Sequence, residues 1–208
     1  LASLEAPAHA GTLDAVEVMR ALDALLPRDA IITLDAGNHT GWPQRFLQYG
    51  RPRREIGPTS GAMGYSVPAA VAASLVHRDR VTVGFVGDGG FMMSGQEVAT
   101  AVQYGGKPVV IVFNNSMYGT IRMHQERDHP ERVVGTDLSD QDFTALGKAL
   151  GCHAERVTRT ADFAPCFERA LKSGRAAVIE LMTDPELIST RLTITGLRER
   201  AKAAAKSR

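Results

Sequence analysis

The 208-residue chain is poor in cysteine, with only Cys152 and Cys166. Two thiols without a CxxC partner build neither a disulfide framework nor a thiolate metal site, so both read as small core residues. A reducing, cytoplasmic setting is the expectation. Charge of one sign is lacking too: 24 basic residues face 23 acidic ones, for a net +1. That balance gives no field of the kind that holds nucleic acid or an anionic membrane. No apolar run approaches the roughly 20 residues that span a bilayer. The opening LASLEAPAHA has no charged region followed by an apolar core, so it does not read as a signal peptide. Neither a GxGxxG fingerprint nor a GxxxxGK[ST] loop occurs, which argues against the common nucleotide-binding α/β domains.

What remains is ordinary globular material, 44% hydrophobic and 23% charged. The length fits one domain with arms: 1–10 as a linker, 11–190 as the domain, 191–208 as a polar C-terminal arm, solvated or touching a partner. Apolar runs predict buried strands at 30–34, 81–86, 109–113 and 176–181, with shorter strands at 55–57 and 152–157, the last at an edge. Helical spacing predicts helices from a Thr12 cap to residue 26, over 42–48, over 67–76 with Pro68 in the first turn, and over 94–104. Further helices run from a Ser116 cap to residue 126, from an Asp140 cap to residue 150, and over 161–172. Strands alternating with helices predict an α/β fold, with a mostly parallel central sheet of about six strands and helices on both faces. Arg51-Pro52-Arg53-Arg54 reads as a basic surface loop, and His77, His129 and His153 as surface residues.

One stretch carries the chemistry, VTVGFVGDGGFMMSGQEVATAVQYGGKPVVIVFNNSMYGT at 81–120. Its two apolar runs end in Gly87-Asp88-Gly89-Gly90 and in Asn114-Asn115, with a helical segment between. Two strands joined through a helix form a βαβ unit whose strands finish on the same edge of a parallel sheet. Ligands bind at that carboxyl edge. A hard divalent cation such as Mg²⁺ takes oxygen ligands and shares its shell with phosphates and water. One carboxylate, one amide oxygen and a nearby backbone carbonyl would supply three oxygens. Glycines and the following helix would offer backbone N–H groups to an anion. Taken singly, Gly-Asp-Gly reads equally as a tight turn and Asn-Asn as an ordinary turn pair.

Taken together, with 24 residues from Gly90 to Phe113 between them, they closely resemble the diphosphate-binding signature of thiamine diphosphate enzymes. The resemblance extends to Asp35-Ala36-Gly37-Asn38-His39, similar to the first cofactor loop of acetohydroxyacid (acetolactate) synthase relatives. It also covers Gly61-Ala62-Met63-Gly64, similar to their aminopyrimidine-contacting segment, and Asn115-Ser116-Met117-Tyr118-Gly119, similar to their metal turn. The match runs in order over about 12–185 and implies the thiamine diphosphate-binding fold. It implies Mg²⁺ held by Asp88, the Asn115 side chain and the Met117 carbonyl, with Gly87, Gly89 and Gly90 close to the diphosphate. Ala36, Gly37, Asn38 and His39 would form the loop at the far phosphate, although relatives usually carry Gln where Asn38 stands. Gly61 would accept from the aminopyrimidine amine, and Met63 would donate its N–H to the ring and wedge its side chain beneath the cofactor. Tyr118, Gly119, Thr120 and Ile121 would cover the diphosphate end. Glu97 reads as a helix-start residue and Trp42 and Phe46 as core or interface residues. No role is assigned to His124.

The family's activating glutamate sits on a separate pyrimidine-binding domain, and nothing in this sequence resembles that domain. The resemblance therefore implies the cofactor-binding part of a 2-oxo acid decarboxylase or carboligase, a transferase or lyase. The remainder would come from the same longer chain, for which Leu1 reads as an interior start, or from another subunit. The alternatives are one subunit of a two-subunit enzyme, such as a sulfopyruvate or phosphonopyruvate decarboxylase, and a non-catalytic cofactor-binding module. The implied partners are a 2-oxo acid, the pyrimidine-binding domain and further copies in a dimer or tetramer. The chain alone is expected to be inactive.

Overall fold

The computed structural model describes residues 13–50 and 54–206. The expectations for the N-terminal linker, the Thr12 cap and residues 51–53 of the basic loop lie outside them. In chain order the elements are α1 (Ala15–Leu25), β1 (Ile31–Leu34), α2 (Gly41–Phe46), β2 (Arg54–Ile56), α3 (Ser66–Val76) and β3 (Thr82–Gly87). Then come α4 (Asp88–Ser94), α5 (Val98–Tyr104), β4 (Val109–Asn114), α6 (Gly119–Asp128) and α7 (Phe143–Ala149). The chain closes with β5 (His153–Val157), α8 (Thr160–Lys172), β6 (Ala177–Met182) and α9 (Ile194–Lys206). The six strands form one sheet in the order β2-β1-β3-β4-β6-β5, and every pairing is parallel.

The inner strands β1, β3, β4 and β6 are buried on both faces, as the strands of a parallel sheet covered by helices are. Alternate residues of β4 show the division. Val109, Ile111 and Phe113 face a core shared with α1, α2 and α8. Val110 and Val112 face a second core under α3, α4, α5 and α7. Helix α3 lies close on the sheet: a Cβ added to Gly84 would stand 3.0 Å from both the Ala70 Cβ and the Thr33 hydroxyl.

Several local expectations are corrected. Helix α1 is capped by Asp14, whose Oδ1 accepts from the Val16 and Glu17 N–H groups at 2.8 and 3.3 Å. Helix α7 is capped by Asp142 rather than Asp140. No helix starts at Ser116, which sits at φ 56°; α6 begins at Gly119. The helical segment of the central unit starts at Asp88 itself, passes through a 3₁₀ turn at Gly95–Glu97 and resumes as α5. His153 is half-buried and bonded to Glu155 at 2.8 Å instead of lying free on the surface. The C-terminal arm is a helix of this same fold: α9 packs on α6, and Ile194 and Leu197 are buried. No helix among the described residues is long and apolar enough to cross a membrane.

Candidate cofactor site

From β1 the chain goes outward to β2 and then crosses to β3 on the other side of β1. That reversal opens a crevice at the carboxyl ends of β1 and β3, where open α/β sheets take their ligands. A cavity of about 390 Å³ lies there. Every candidate cofactor residue from the four sequence segments lines it, from Ala36 to Ile121.

Asp88 is the first residue after β3 and is 5% exposed. Its Oδ1 accepts from the Gly89 N–H at 2.7 Å, and its Oδ2 from the N–H groups of Asn115 at 3.2 Å and Met117 at 3.3 Å. The carboxylate thus ties the start of α4 to the turn after β4. Burial pushes its pKa up, opposed by those N–H donors. A cation beside it would favour the ionised form. Asn115 Oδ1 also receives the Met117 N–H, at 3.3 Å, and the Met117 carbonyl receives the Gly119 N–H at 2.9 Å. The Met117 backbone is further fixed by a bridge to Asp137, flanked by Tyr118 N–H to Thr136 and Leu138 N–H to Ser116 bonds of 2.8 Å.

The loop after β1 is held by Asp35. Its Oδ1 accepts from the N–H groups of Ala36 and Gly64, each at 2.9 Å, and its Oδ2 from that of Ser66 at 2.9 Å. One carboxylate therefore joins the 36–39 loop to the 61–66 segment. Gly61 and Gly64, at φ 67° and 84°, take the left-handed turns that a side chain disfavours. Gly61 and Met63 stand at the exposed end of the cavity.

His39 lies at the enclosed end, and its Nε2 is buried with no hydrogen-bond partner. Burial brings its pKa down to about 4, against the pull of Asp35, so the imidazole is neutral at pH 7. Asn38 is turned away: its Nδ2 donates to the Ile188 carbonyl at 2.9 Å, and its backbone N–H donates to the Thr120 hydroxyl at 3.0 Å. Asn38 fastens the cavity wall by these bonds. The Tyr118 ring covers Gly89 so closely that an added Cβ would stand 2.4 Å from it.

Sequence reasoning missed part of the wall. Thr183, Asp184, Leu187 and Ile188, directly after β6, line the cavity. The strand-end rule applied to β6, the neighbour of β4, would have found them. Trp42 is core as expected, 4% exposed and stacked on Phe46 with ring centroids 5.9 Å apart, but it also lines the cavity. Glu97 lies outside it and accepts from the Thr100 hydroxyl at 3.1 Å.

These residues fit a metal-bridged diphosphate. The oxygens of Asp88, Asn115 and Met117 are the hard donors Mg²⁺ prefers. No cluster of three or more His, Cys, Asp or Glu suited to a metal exists among the described residues. A cation here would depend on anionic oxygens from a ligand, and the unpartnered His39 Nε2 suits a phosphate oxygen.

Comparison with known proteins agrees. The family described as "Thiamine pyrophosphate enzyme, C-terminal TPP binding domain" matches residues 35–181. Pyruvate oxidase of Lactiplantibacillus plantarum is 34% identical over 171 residues, 82% of this chain and 28% of its own length. The acetolactate synthase large subunit of Parasynechococcus marenigrum is 35% identical over 158 residues, 74% of this chain and 25% of its own. Among solved structures, the thiamine diphosphate-dependent 4-hydroxybenzoylformate decarboxylase of Rhodococcus jostii superposes with a TM-score of 0.80 at 28% identity. That match covers 86% of this chain and 34% of the other. The chain thus spans under a third of the length of the two curated relatives. By motif, fold and sequence, it belongs to the thiamine pyrophosphate enzyme family, as its C-terminal TPP-binding domain.

Proposed function

We propose that this chain is the cofactor-holding part of a 2-oxo acid decarboxylase or carboligase of the acetolactate synthase type. Asp88, the Asn115 amide oxygen and the Met117 carbonyl would hold Mg²⁺ against the diphosphate, and His39 Nε2 would meet the far phosphate. The carrying observation is the junction at Asp88, whose carboxylate joins the ends of β3 and β4 through the Asn115 and Met117 N–H groups. When bound, thiamine diphosphate supplies the electron sink for the pair released as a 2-oxo acid loses its carboxylate. This chain's part is to bind and orient. Asp35 keeps the two remaining loops in register, and Tyr118 closes over Gly89.

The activating glutamate would come from a pyrimidine-binding domain on the same or another chain, in a homo-oligomer. Met63 is exposed at the cavity's open end, and the exposed Met93 stands beside Gly64 of the same segment, which supports such a covering partner, because exposed large apolar side chains favour contact. The two buried free thiols suit a cytoplasmic setting. The test is calorimetry on the complete protein carrying Asp88→Ala. Mg²⁺-dependent affinity for thiamine diphosphate should fall about a hundredfold or more with the fold retained, by analogy with the loss of a metal's orienting groups. Undiminished affinity overturns the metal assignment.

A further inference from the structure

Glu180 is a charged residue in the middle of β6 with no exposed surface. Its neighbours along the strand, Ile179 and Leu181, are apolar core residues. A buried carboxylate is tolerated when donors satisfy it. Here there are two: Asn114 Nδ2 donates to Oε1 at 2.7 Å, and Arg156 Nε donates to Oε2 at 2.9 Å. Asn114 is the first asparagine of the pair that ends β4, and the cofactor site did not use it.

The other end of the Asn114 amide points into the metal turn. Its Oδ1 accepts the Ser116 N–H at 3.0 Å, and the Ser116 hydroxyl lies 3.4 Å away. That bond closes the turn in which Ser116 takes φ 56°, a conformation unusual for a residue with a side chain. Asn115 and Met117 flank Ser116, and both N–H groups reach Asp88. An amide has a donor end and an acceptor end of nearly equal shape, so something must fix which way it faces. An ionised carboxylate only accepts. Against Glu180, Asn114 can present only its NH₂, which leaves its oxygen for Ser116.

We propose that Glu180 is a positioning residue for the metal turn, fixing the orientation of the Asn114 amide so that Asn115 and Met117 offer their oxygens to Mg²⁺. The inference rests on the functional reading above. It reaches across the sheet to a residue that touches neither metal nor cofactor.

The donor logic predicts the behaviour of substitutions. In Glu180→Gln, Arg156 can only donate, so it takes the new amide's oxygen. The new NH₂ then faces Asn114, which must turn its own oxygen toward residue 180. Its NH₂ would then oppose the Ser116 N–H, and the turn opens. Asn114→Asp alone sets two carboxylates against each other. Combined, Asn114→Asp with Glu180→Gln restores an acceptor to every donor. The carboxylate now at position 114 accepts from Ser116 and from residue 180, whose oxygen accepts from Arg156.

The experiment titrates Mg²⁺ into the complete protein with saturating thiamine diphosphate by calorimetry. It also records Tm with and without Mg²⁺ for the unsubstituted protein, both single variants and the double. Glu180→Gln should weaken Mg²⁺ about tenfold or more, in line with other groups that orient metal ligands. It should also shrink the Mg²⁺-dependent rise in Tm. The double variant should bind Mg²⁺ within about threefold of the unsubstituted protein, a return that general loosening of the core would not give. Mg²⁺ affinity unchanged in Glu180→Gln, or a double variant no better than the weaker single, overturns the inference. An unsubstituted protein without Mg²⁺-dependent cofactor binding overturns the functional reading, and this inference with it.

Discussion

Arg198 on α9 reaches across to Glu126 on α6, with Nε donating to Oε2 at 2.9 Å and Nη2 to Oε1 at 2.6 Å. Glu126 has no exposed surface and also accepts from Arg122 Nε at 3.0 Å and the Glu131 N–H at 3.0 Å. The pair docks the C-terminal helix against the helix that follows the metal turn.

Arg198→Ala should therefore destabilise the protein by about 2 kcal/mol. Removing one partner of a buried ion pair leaves the other charge short of compensation, and the remaining Arg122 and Glu131 bonds moderate the loss. Urea unfolding measures the change. Limited proteolysis should cut within α9 sooner than in the unsubstituted protein. Equal stability and equal cleavage rates would show that Ile194, Leu197 and the Lys202–Glu131 pair dock α9 without Arg198.

Stability should also fall in acid through Glu126. The Arg198 bond, first among its causes, holds the Glu126 carboxyl down at about 2, from an ordinary value of 4.5. A carboxyl depressed on folding binds fewer protons in the folded than in the unfolded state. Its contribution is complete above about pH 4.5 and is lost as pH falls toward 2. Glu126→Gln should be less stable at pH 7, and its stability should change less between pH 4.5 and 3. Parallel pH profiles for the two proteins would remove Glu126 as the cause.

Much of this architecture is legible in the sequence because β1, β3 and β4 are short apolar runs ended by Gly, Asp or Asn. Val109–Asn114 reads as a buried strand by composition alone, and Gly87-Asp88-Gly89 marks a strand end with room for a ligand. Three other features obey signals that periodicity does not carry. Helix α4 is only seven residues and holds two glycines, so it shows no amphipathic stripe. Helix α9 buries just Ile194 and Leu197 and relies on an ion pair with a residue some seventy positions earlier. Asn38 spends its side chain on the Ile188 carbonyl, a partner that only the folded chain brings near. Glu180 was visible as one acidic residue in an apolar strand, and its partners were not.

The chain alone should show no appreciable turnover of pyruvate. Gly61 and Met63 lie at the open end of the cavity, and no acidic residue among those lining it stands beside them: Asp88 is tied to the metal turn, and Asp184 follows β6. Purified chain supplied with Mg²⁺ and thiamine diphosphate should release CO₂ from pyruvate no faster than the cofactor in buffer. Adding a pyrimidine-binding domain in trans, or measuring the complete protein, should raise the rate. Robust decarboxylation by the purified chain would mean that it carries its own activating group.

Gly89 offers a direct test of close approach at the diphosphate. A Cβ there would stand 2.4 Å from the Tyr118 Cε1 and 2.8 Å from its Cδ1. The ring must swing away in Gly89→Ala, and it can, because it is the far end of a side chain whose backbone is separately held by the Thr136 carbonyl. Gly89 does not occupy the left-handed region, so the backbone itself accepts alanine, and overall stability should change by about 1 kcal/mol or less. Cofactor affinity should nonetheless fall about tenfold or more, because the methyl group stands where the diphosphate approaches the chain. Adding Tyr118→Ala separates two causes. The double variant relieves the ring contact but keeps the methyl, so its affinity, measured by calorimetry in Mg²⁺, should remain as weak as in Gly89→Ala. Recovery in the double variant would place the whole defect in the displaced ring and leave no role for close approach at Gly89.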